Sequence, residues 1–236
     1  ASHHPALAFG LVAARAQGDR ETISVYERSA AGWKAARTPR HLRGAVDLGR
    51  RARAAGLGAV VDLGCGPGWH LPSLGARPVA LDAAKAMLDL VPVEAAGALR
   101  VQADLEALPF RPQALGGAWA SKSYVHTART HLPLALADLH RSLAVGAPVE
   151  LLLFAGDQEH GPLPGDDHPG RHFAGWEPEH LRRVLEGAGF LDAEVRPSTD
   201  RSAPHDLTVT ATRARTLPDY VGPGMRLLSV GLNPSL

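Results

Sequence analysis

The sequence predicts an α/β fold built on an open, mostly parallel sheet, and three observations carry that prediction. The first is Val60-Val61-Asp62-Leu63-Gly64-Cys65-Gly66-Pro67-Gly68, an apolar run that enters a glycine-rich turn. The second is Val79-Ala80-Leu81-Asp82, an apolar run that ends in an acid twenty residues after Asp62. The third is the return, down the chain, of short apolar runs separated by stretches with helical spacing. Runs of this kind suit strands covered on both faces. In an open α/β sheet the ligand crevice lies outside the carboxyl ends of the strands.

Gly64, Gly66 and Gly68 let the backbone turn tightly and let a ligand approach with no Cβ in the way. The dinucleotide fingerprint wants glycines at positions one, three and six, and the sixth position here is Trp69. An acid, Asp62, stands two residues before the glycines. It would repel a pyrophosphate and suit a ligand that carries an ammonium group and a sulfonium. Asp82, at the tip of the neighbouring strand, is placed to accept hydrogen bonds from ribose hydroxyls.

The elements follow in order. Residues 5 to 17 carry Leu7, Leu11 and Ala14 at helical spacing. Ile23 to Arg37 holds Tyr26, Ala30 and Trp33 in one register, and Thr38-Pro39 ends it, because the residue before proline leaves the α region. A helix from Leu42 to Ala55 closes at Gly56. Strand one is followed by a short helix over Trp69 to Gly75, broken early by Pro72. Strand two is followed by a helix over Ala83 to Val91, with Ala83-Ala84 a weak cap. Leu99 to Gln102 is strand three. Gly116 to Ser121 is strand four, the last to line the site. Leu132, Leu136, Leu139 and Leu143 give an amphipathic helix. Val149 to Phe154 is strand five. Residues 156 to 176 are rich in Gly, Pro, Asp and His and read as a loop. Glu177 to Gly187 is a helix and Leu191 to Arg196 is strand six. Leu207, Val209 and Ala211 alternate with threonines in Asp206 to Arg213, as an antiparallel strand at or near an edge would.

The glycine turn with Asp62 and Asp82 in register resembles motif I and the ribose acid of the class I S-adenosylmethionine-dependent methyltransferases. Later motifs extend the resemblance over roughly residues 20 to 213. It implies a Rossmann-like seven-stranded sheet of order 3-2-1-4-5-7-6, strand seven antiparallel, with helices on both faces. It divides the chain into an N-terminal helical cap (1–56), a cofactor-binding core (57–215) and a C-terminal tail (216–236). It implies that Asp62, the turn Gly64-Cys65-Gly66-Pro67-Gly68 and the N-terminal helix hold the methionine end of S-adenosylmethionine, and that Ser121 also binds the cofactor. Tyr26 and Trp33 match a capping helix. Asp82 matches the ribose acid, with Ala83 and Met87 beside the adenine. Asp104 and Leu105 match the adenine motif, an acid for the exocyclic amine and a backbone amide for a ring nitrogen. Plainer readings stand beside these: the aromatics as sheet cover, Met87 as core, Asp104 as a helix cap and Cys65 as a small turn residue.

Beyond strand four, His126 is a candidate general base, since its ordinary pKa lies near neutrality; in similar sequences a His here is mainly structural. Asp166-Asp167-His168-Pro169-Gly170-Arg171-His172 invites a metal reading. No other ligand cluster supports a closed site, and similar small-molecule methyltransferases carry such a loop as a lid or substrate-side segment. No metal is expected. The expected reaction is methyl transfer by direct displacement to a small-molecule O, N or C acceptor, yielding S-adenosylhomocysteine.

Composition bounds the alternatives. The 236 residues suffice for one α/β domain, and 25 Lys and Arg against 24 Asp and Glu leave little net charge. That balance gives no electrostatic case for nucleic acid or membrane. The single cysteine allows no disulfide within the chain, so a reducing cytoplasm is the expected location. No apolar run approaches membrane-spanning length, and residues 1–4 show no signal-peptide pattern.

The tail resembles the opening strand of mismatch-specific uracil/thymine DNA glycosylases, with Met225 to Val230 as strand and Gly231-Leu232-Asn233-Pro234 after it. Asn233 matches their water-positioning Asn. The rest of such an enzyme does not follow, so the tail is expected to be a remnant or a cut-short segment, and a strand that seeks a sheet edge, for example in a homodimer. It leaves open a nucleic-acid methyltransferase linked to DNA repair. The departures at Ala83-Ala84 and Val145-Gly146-Ala147 leave open a non-catalytic binding or scaffold module.

Overall fold

A computed structural model describes residues 19–92, 95, 97–157, 159–160, 166–198 and 203–216. The helix read over residues 5 to 17 and the tail strand with Asn233 lie outside the described residues.

The sheet forms because each apolar run is short, is bounded by turn residues and can bury both faces. β1 (Val60–Leu63), β2 (Val79–Asp82), β3 (Leu99–Gln102), β4 (Gly117–Ser121) and β5 (Pro148–Ala155) pair in parallel, in the order β3-β2-β1-β4-β5. β9 (Asp206–Arg213) is antiparallel to β5 over seven residue pairs. β8 (Phe190–Pro197) is antiparallel to β9 and forms that end of the sheet. Leaving aside the two strands inside residues 156–176, the order is the expected 3-2-1-4-5-7-6, a Rossmann-like methyltransferase fold. Leu207, Val209 and Ala211 of β9 are buried, which places the alternation of that strand on the core.

The 156–176 segment departs from the loop reading. β6 (Glu159–His160) and β7 (Phe173–Trp176) form an antiparallel hairpin, and β7 runs parallel to the end of β5. Phe173 and Trp176 are buried, so aromatic burial outweighs the turn-rich composition around them.

Helices cover both faces. α4 (Leu132–Ser142) buries Leu132, Leu136 and Leu139, and α5 (Pro178–Gly187) buries Leu181 and Leu185, in one large core. On the other face α2 (Leu42–Ala55) lays Ala45, Leu48 and Ala52 over Trp119 and ends at Gly56 with φ 65. α1 (Arg20–Ala35) starts at an Asp19 cap and stops two residues before the expected end. It packs Tyr26, Ala30 and Trp33 against Met87 of α3 (Lys85–Asp89). The helix expected over 69–75 shrinks to one tight turn, Leu71–Ser73. α3 is shorter than expected and has no side-chain cap of its own; Asp82 Oδ1 accepts from the Ala84 amide at 2.9 Å instead. Among the described residues no helix is long and apolar enough to cross a membrane.

Candidate functional site

A cavity of about 710 Å³ opens at the carboxyl ends of β1, β2, β4 and β5, with α1 on its other side. Its wall brings together Tyr26, Trp33, Gly64, Cys65, Gly66, Pro67, Asp82, Ala83, Met87, Asp104, Leu105, Ser121 and His126. Asp62 and Gly68 do not reach the wall. Gly68 faces Leu71 and Val91, where an added Cβ would meet Leu71 at 2.8 Å, so this glycine serves packing. Asp62 lies buried behind the wall.

The acidic half of the cavity is built on β1 and β2. Asp82 accepts from the Gly66 amide at 2.9 Å and the Ala84 amide at 2.9 Å, which ties the glycine turn to the tip of β2. Burial pushes its pKa up to about 6, against the pull of those amides. Asp62 is 1% exposed, and neither carboxylate oxygen has a hydrogen-bond partner in the protein. Burial, then the nearby Asp82 charge, raises its pKa well above the usual range. A buried carboxylate without a donor is costly, so this position suits a ligand that brings a cation or donors. Gly66 has open space where a Cβ would stand, with Trp33 4.0 Å away. These features fit a nucleoside with a charged amino group. Asp104 Oδ1 accepts from the Glu106 amide at 2.9 Å, so it does cap a turn while lining the cavity. Cys65 is buried and its thiol pKa is pushed well up, chiefly by desolvation, which disfavours the reactive thiolate.

The opposite side is closed by a polar strap. Arg171 Nη1 donates to the Tyr26 hydroxyl at 2.9 Å, and that hydroxyl is 2.9 Å from His126 Nε2. His126 Nδ1 is 2.7 Å from the His172 carbonyl, which can only accept, so Nδ1 carries the proton. Desolvation holds the His126 pKa down to about 4, so the ring is neutral and Nε2 accepts from Tyr26. Both nitrogens are therefore engaged, and His126 is a structural hub between α1, the β4 exit and the 166–172 segment. The two acids of that segment are also taken: Asp166 pairs with Arg171, and Asp167 accepts from Arg37 at 2.7 and 2.8 Å. This accounts for the acids that suggested a metal. Among the described residues no group of three or more His, Cys, Asp or Glu is placed to hold one. Tyr26→Phe removes the link between Arg171 and His126. We expect it to cost about 2 to 4 kcal/mol in urea denaturation, the net worth of two hydrogen bonds, one of them to a charged group; no loss would place the strap's stability elsewhere.

His41, His70 and Lys122 also line the cavity, and sequence reasoning did not single out the two histidines. No local pattern marks them, since each meets its partners only through the fold.

The sheet order and the crevice at the carboxyl ends of β1 and β2 are those of the Rossmann-like methyltransferase fold. A family model described as a methyltransferase domain matches residues 60–146, from β1 to the turn before β5. No curated protein matches the chain. Among solved structures, a Burkholderia thailandensis 1,6-didemethyltoxoflavin-N1-methyltransferase with bound 1,6-didemethyltoxoflavin and S-adenosylhomocysteine is similar, with TM-score 0.64 and 20% identity over 83% of this chain and 88% of that one. DhpI in complex with SAH gives 0.60 and 21%, over 82% and 96%. A chain of the complex between the Haloferax volcanii Trm112 methyltransferase activator and a methyltransferase gives 0.61 and 16%, over 85% and 100%. At these identities the likeness is one of fold.

Proposed function

We propose that the chain transfers a methyl group from S-adenosylmethionine to a small-molecule acceptor. The observation that carries this reading is Asp82, half-buried at the tip of β2, joined to the glycine turn and open to the cavity. A carboxylate held there is a ready acceptor for a pair of ribose hydroxyls.

When bound, S-adenosylmethionine supplies an electrophilic methyl carbon on a sulfonium. The residues of this chain hold and orient it. Asp82 takes the ribose. Asp104 and the Leu105 amide take the adenine, with Ala83 and Met87 beside it. Asp62 lies behind the glycine turn as the counter-charge for the amino-acid end, with Gly64, Cys65, Gly66, Pro67 and Ser121 around it. Tyr26 and Trp33 cover the cofactor from α1 and exclude water. Much of the rate enhancement then comes from position and electrostatics. The cavity of about 710 Å³, and a fold shared with a 1,6-didemethyltoxoflavin-N1-methyltransferase, support a small acceptor.

Calorimetric titration of the full chain with S-adenosylmethionine and S-adenosylhomocysteine tests this. Micromolar binding is expected. Asp104→Ala should weaken it roughly tenfold to hundredfold, the cost of one hydrogen bond to a charged group. No binding by the unaltered chain would overturn the enzyme reading and leave a scaffold role.

A further inference from the structure

We infer that His41 is the general base for a hydroxyl acceptor, held in place by Asp206. This rests on the methyltransferase reading and names the acceptor class.

Three histidines line the cavity; His126 has no nitrogen to offer, and the one His70 leaves free, Nδ1, is turned toward Asp62 behind the wall. His126 uses both, as described. His70 donates from Nε2 to the Arg40 carbonyl at 2.8 Å, and its Nδ1 faces Asp62 Oδ2 at 3.9 Å. His41 differs. Its Nε2 is fully buried without a hydrogen bond and faces Asp206 Oδ2 at 3.5 Å, an oxygen that is also buried and unpartnered. That separation is too long for a hydrogen bond, and such pairs often tighten only with ligand bound. The other Asp206 oxygen pairs with Lys122 Nζ at 2.7 Å, which fixes the carboxylate in place. With Nε2 turned to Asp206, Nδ1 is the nitrogen left for the cavity.

The backbone supports the assignment. Only four non-glycine residues among those described have positive φ, and two of them, His41 (φ 58) and Lys122 (φ 59), converge on Asp206. His41 heads α2 yet makes no side-chain cap, so a capping role does not explain this conformation. Backbone strain of this kind collects where a side chain must be aimed. Four charged or titratable groups face the ring: Arg40 beside it in the chain, His70 after β1, Lys122 after β4, and Asp206 on β9. Burial and the cations lower its pKa while Asp206 raises it, with burial the largest effect. The ring is therefore neutral, and can accept a proton, at pH 7.

In the step itself an acceptor oxygen attacks the methyl carbon and an O–C bond forms. The C–S bond breaks and its electron pair stays on sulfur, while the hydroxyl proton passes to His41 Nδ1. The imidazolium so formed faces the Asp206 carboxylate and returns its proton to water after release. Asp206 is a positioning residue, since it sets which nitrogen carries the proton.

The test is ring-nitrogen NMR of the full chain, labelled with 15N-histidine and saturated with S-adenosylhomocysteine. The His41 signals are assigned by their loss in His41→Asn, a side chain that tolerates this backbone. A neutral Nε2–H ring at pH 7, with an Nδ1 resonance that phenol as probe moves saturably, is expected. Asp206→Asn should shift the ring toward the Nδ1–H tautomer, which a packing defect alone would not do. An imidazolium at pH 7, an Nδ1–H ring in the unaltered chain, or an Nδ1 signal that phenol does not move would overturn the inference. Failure of S-adenosylhomocysteine to bind would instead count against the methyltransferase reading.

Discussion

Asp82→Ala should weaken S-adenosylhomocysteine binding by at least about a hundredfold, a loss of roughly 3 kcal/mol if two charge-assisted hydrogen bonds to the ribose go with the carboxylate. The substitution also releases the Gly66 and Ala84 amides, so the glycine turn loses its tie to β2. Asp82→Asn separates the two effects, because it keeps the shape and one acceptor but not the charge. The pH dependence gives a sharper signature. The Asp82 pKa stands at about 6 in the folded protein against an ordinary 3.8, so the folded chain takes up a proton there that the unfolded chain does not. As pH falls through 6 the carboxylate is lost as an acceptor, and binding weakens. Over the same window protonation relieves a buried charge, so the contribution of Asp82 to the stability of the ligand-free chain rises. Binding and stability should therefore move in opposite directions between pH 7 and 5. Both trends should flatten in Asp82→Asn, measured against the unaltered chain by calorimetry and urea denaturation. Affinity that holds constant down to pH 5 would remove Asp82 from the ribose site.

The parts of this site that were legible in the sequence are those made by neighbours in the chain. Asp62, the three glycines and Asp82 sit on two consecutive strands, and apolar runs with fixed turn residues reveal such a unit directly. The helices over Leu42–Ala55 and Leu132–Ser142 were legible for a similar reason, since buried leucines and alanines repeat with the helical period. The hairpin of β6 and β7 was hidden because Phe173 and Trp176 stand among turn-forming residues, and its partner strand has only two residues. The Arg171 strap was hidden for another reason. Its contact with Tyr26 joins positions 145 residues apart, and nothing near Arg171 indicates which acid it will meet. In the sequence Asp166, Asp167, His168 and His172 invite a metal reading that the absence of another ligand cluster argues against. In the fold both acids belong to arginines. His41 is the extreme case, one polar residue after a proline, whose partner Asp206 opens the last described strand. A pairing between the head of α2 and the start of β9 is a property of topology, and local pattern carries no trace of it.

Gly64→Ala should destabilise the chain by about 3 kcal/mol, and the reason is one close approach. Gly64 has φ 67, where a side chain costs about 1 kcal/mol or more by itself. An added Cβ would also stand 2.3 Å from the Ser123 Cβ and 3.1 Å from its hydroxyl oxygen. Ser123 cannot swing aside freely, because that hydroxyl donates to the Leu63 carbonyl at 2.7 Å and the residue is buried. The methyl group would therefore push apart the exits of β1 and β4, which together form one end of the cavity; forced overpacking of this kind costs about 1 to 3 kcal/mol. Gly56→Ala is the matched control. Gly56 has φ 65, nearly the same backbone, but nothing lies within 4 Å of its added Cβ. It should cost only the backbone part, about 1 kcal/mol, since it caps α2 far from the crevice. Urea denaturation of the two variants isolates the contact between the β1 turn and the β4 exit as the difference between them. Equal losses would show that these two loops can part without strain. The cavity would then owe its shape to the α1 side, through Tyr26 and Arg171, and not to the tight seam at Gly64.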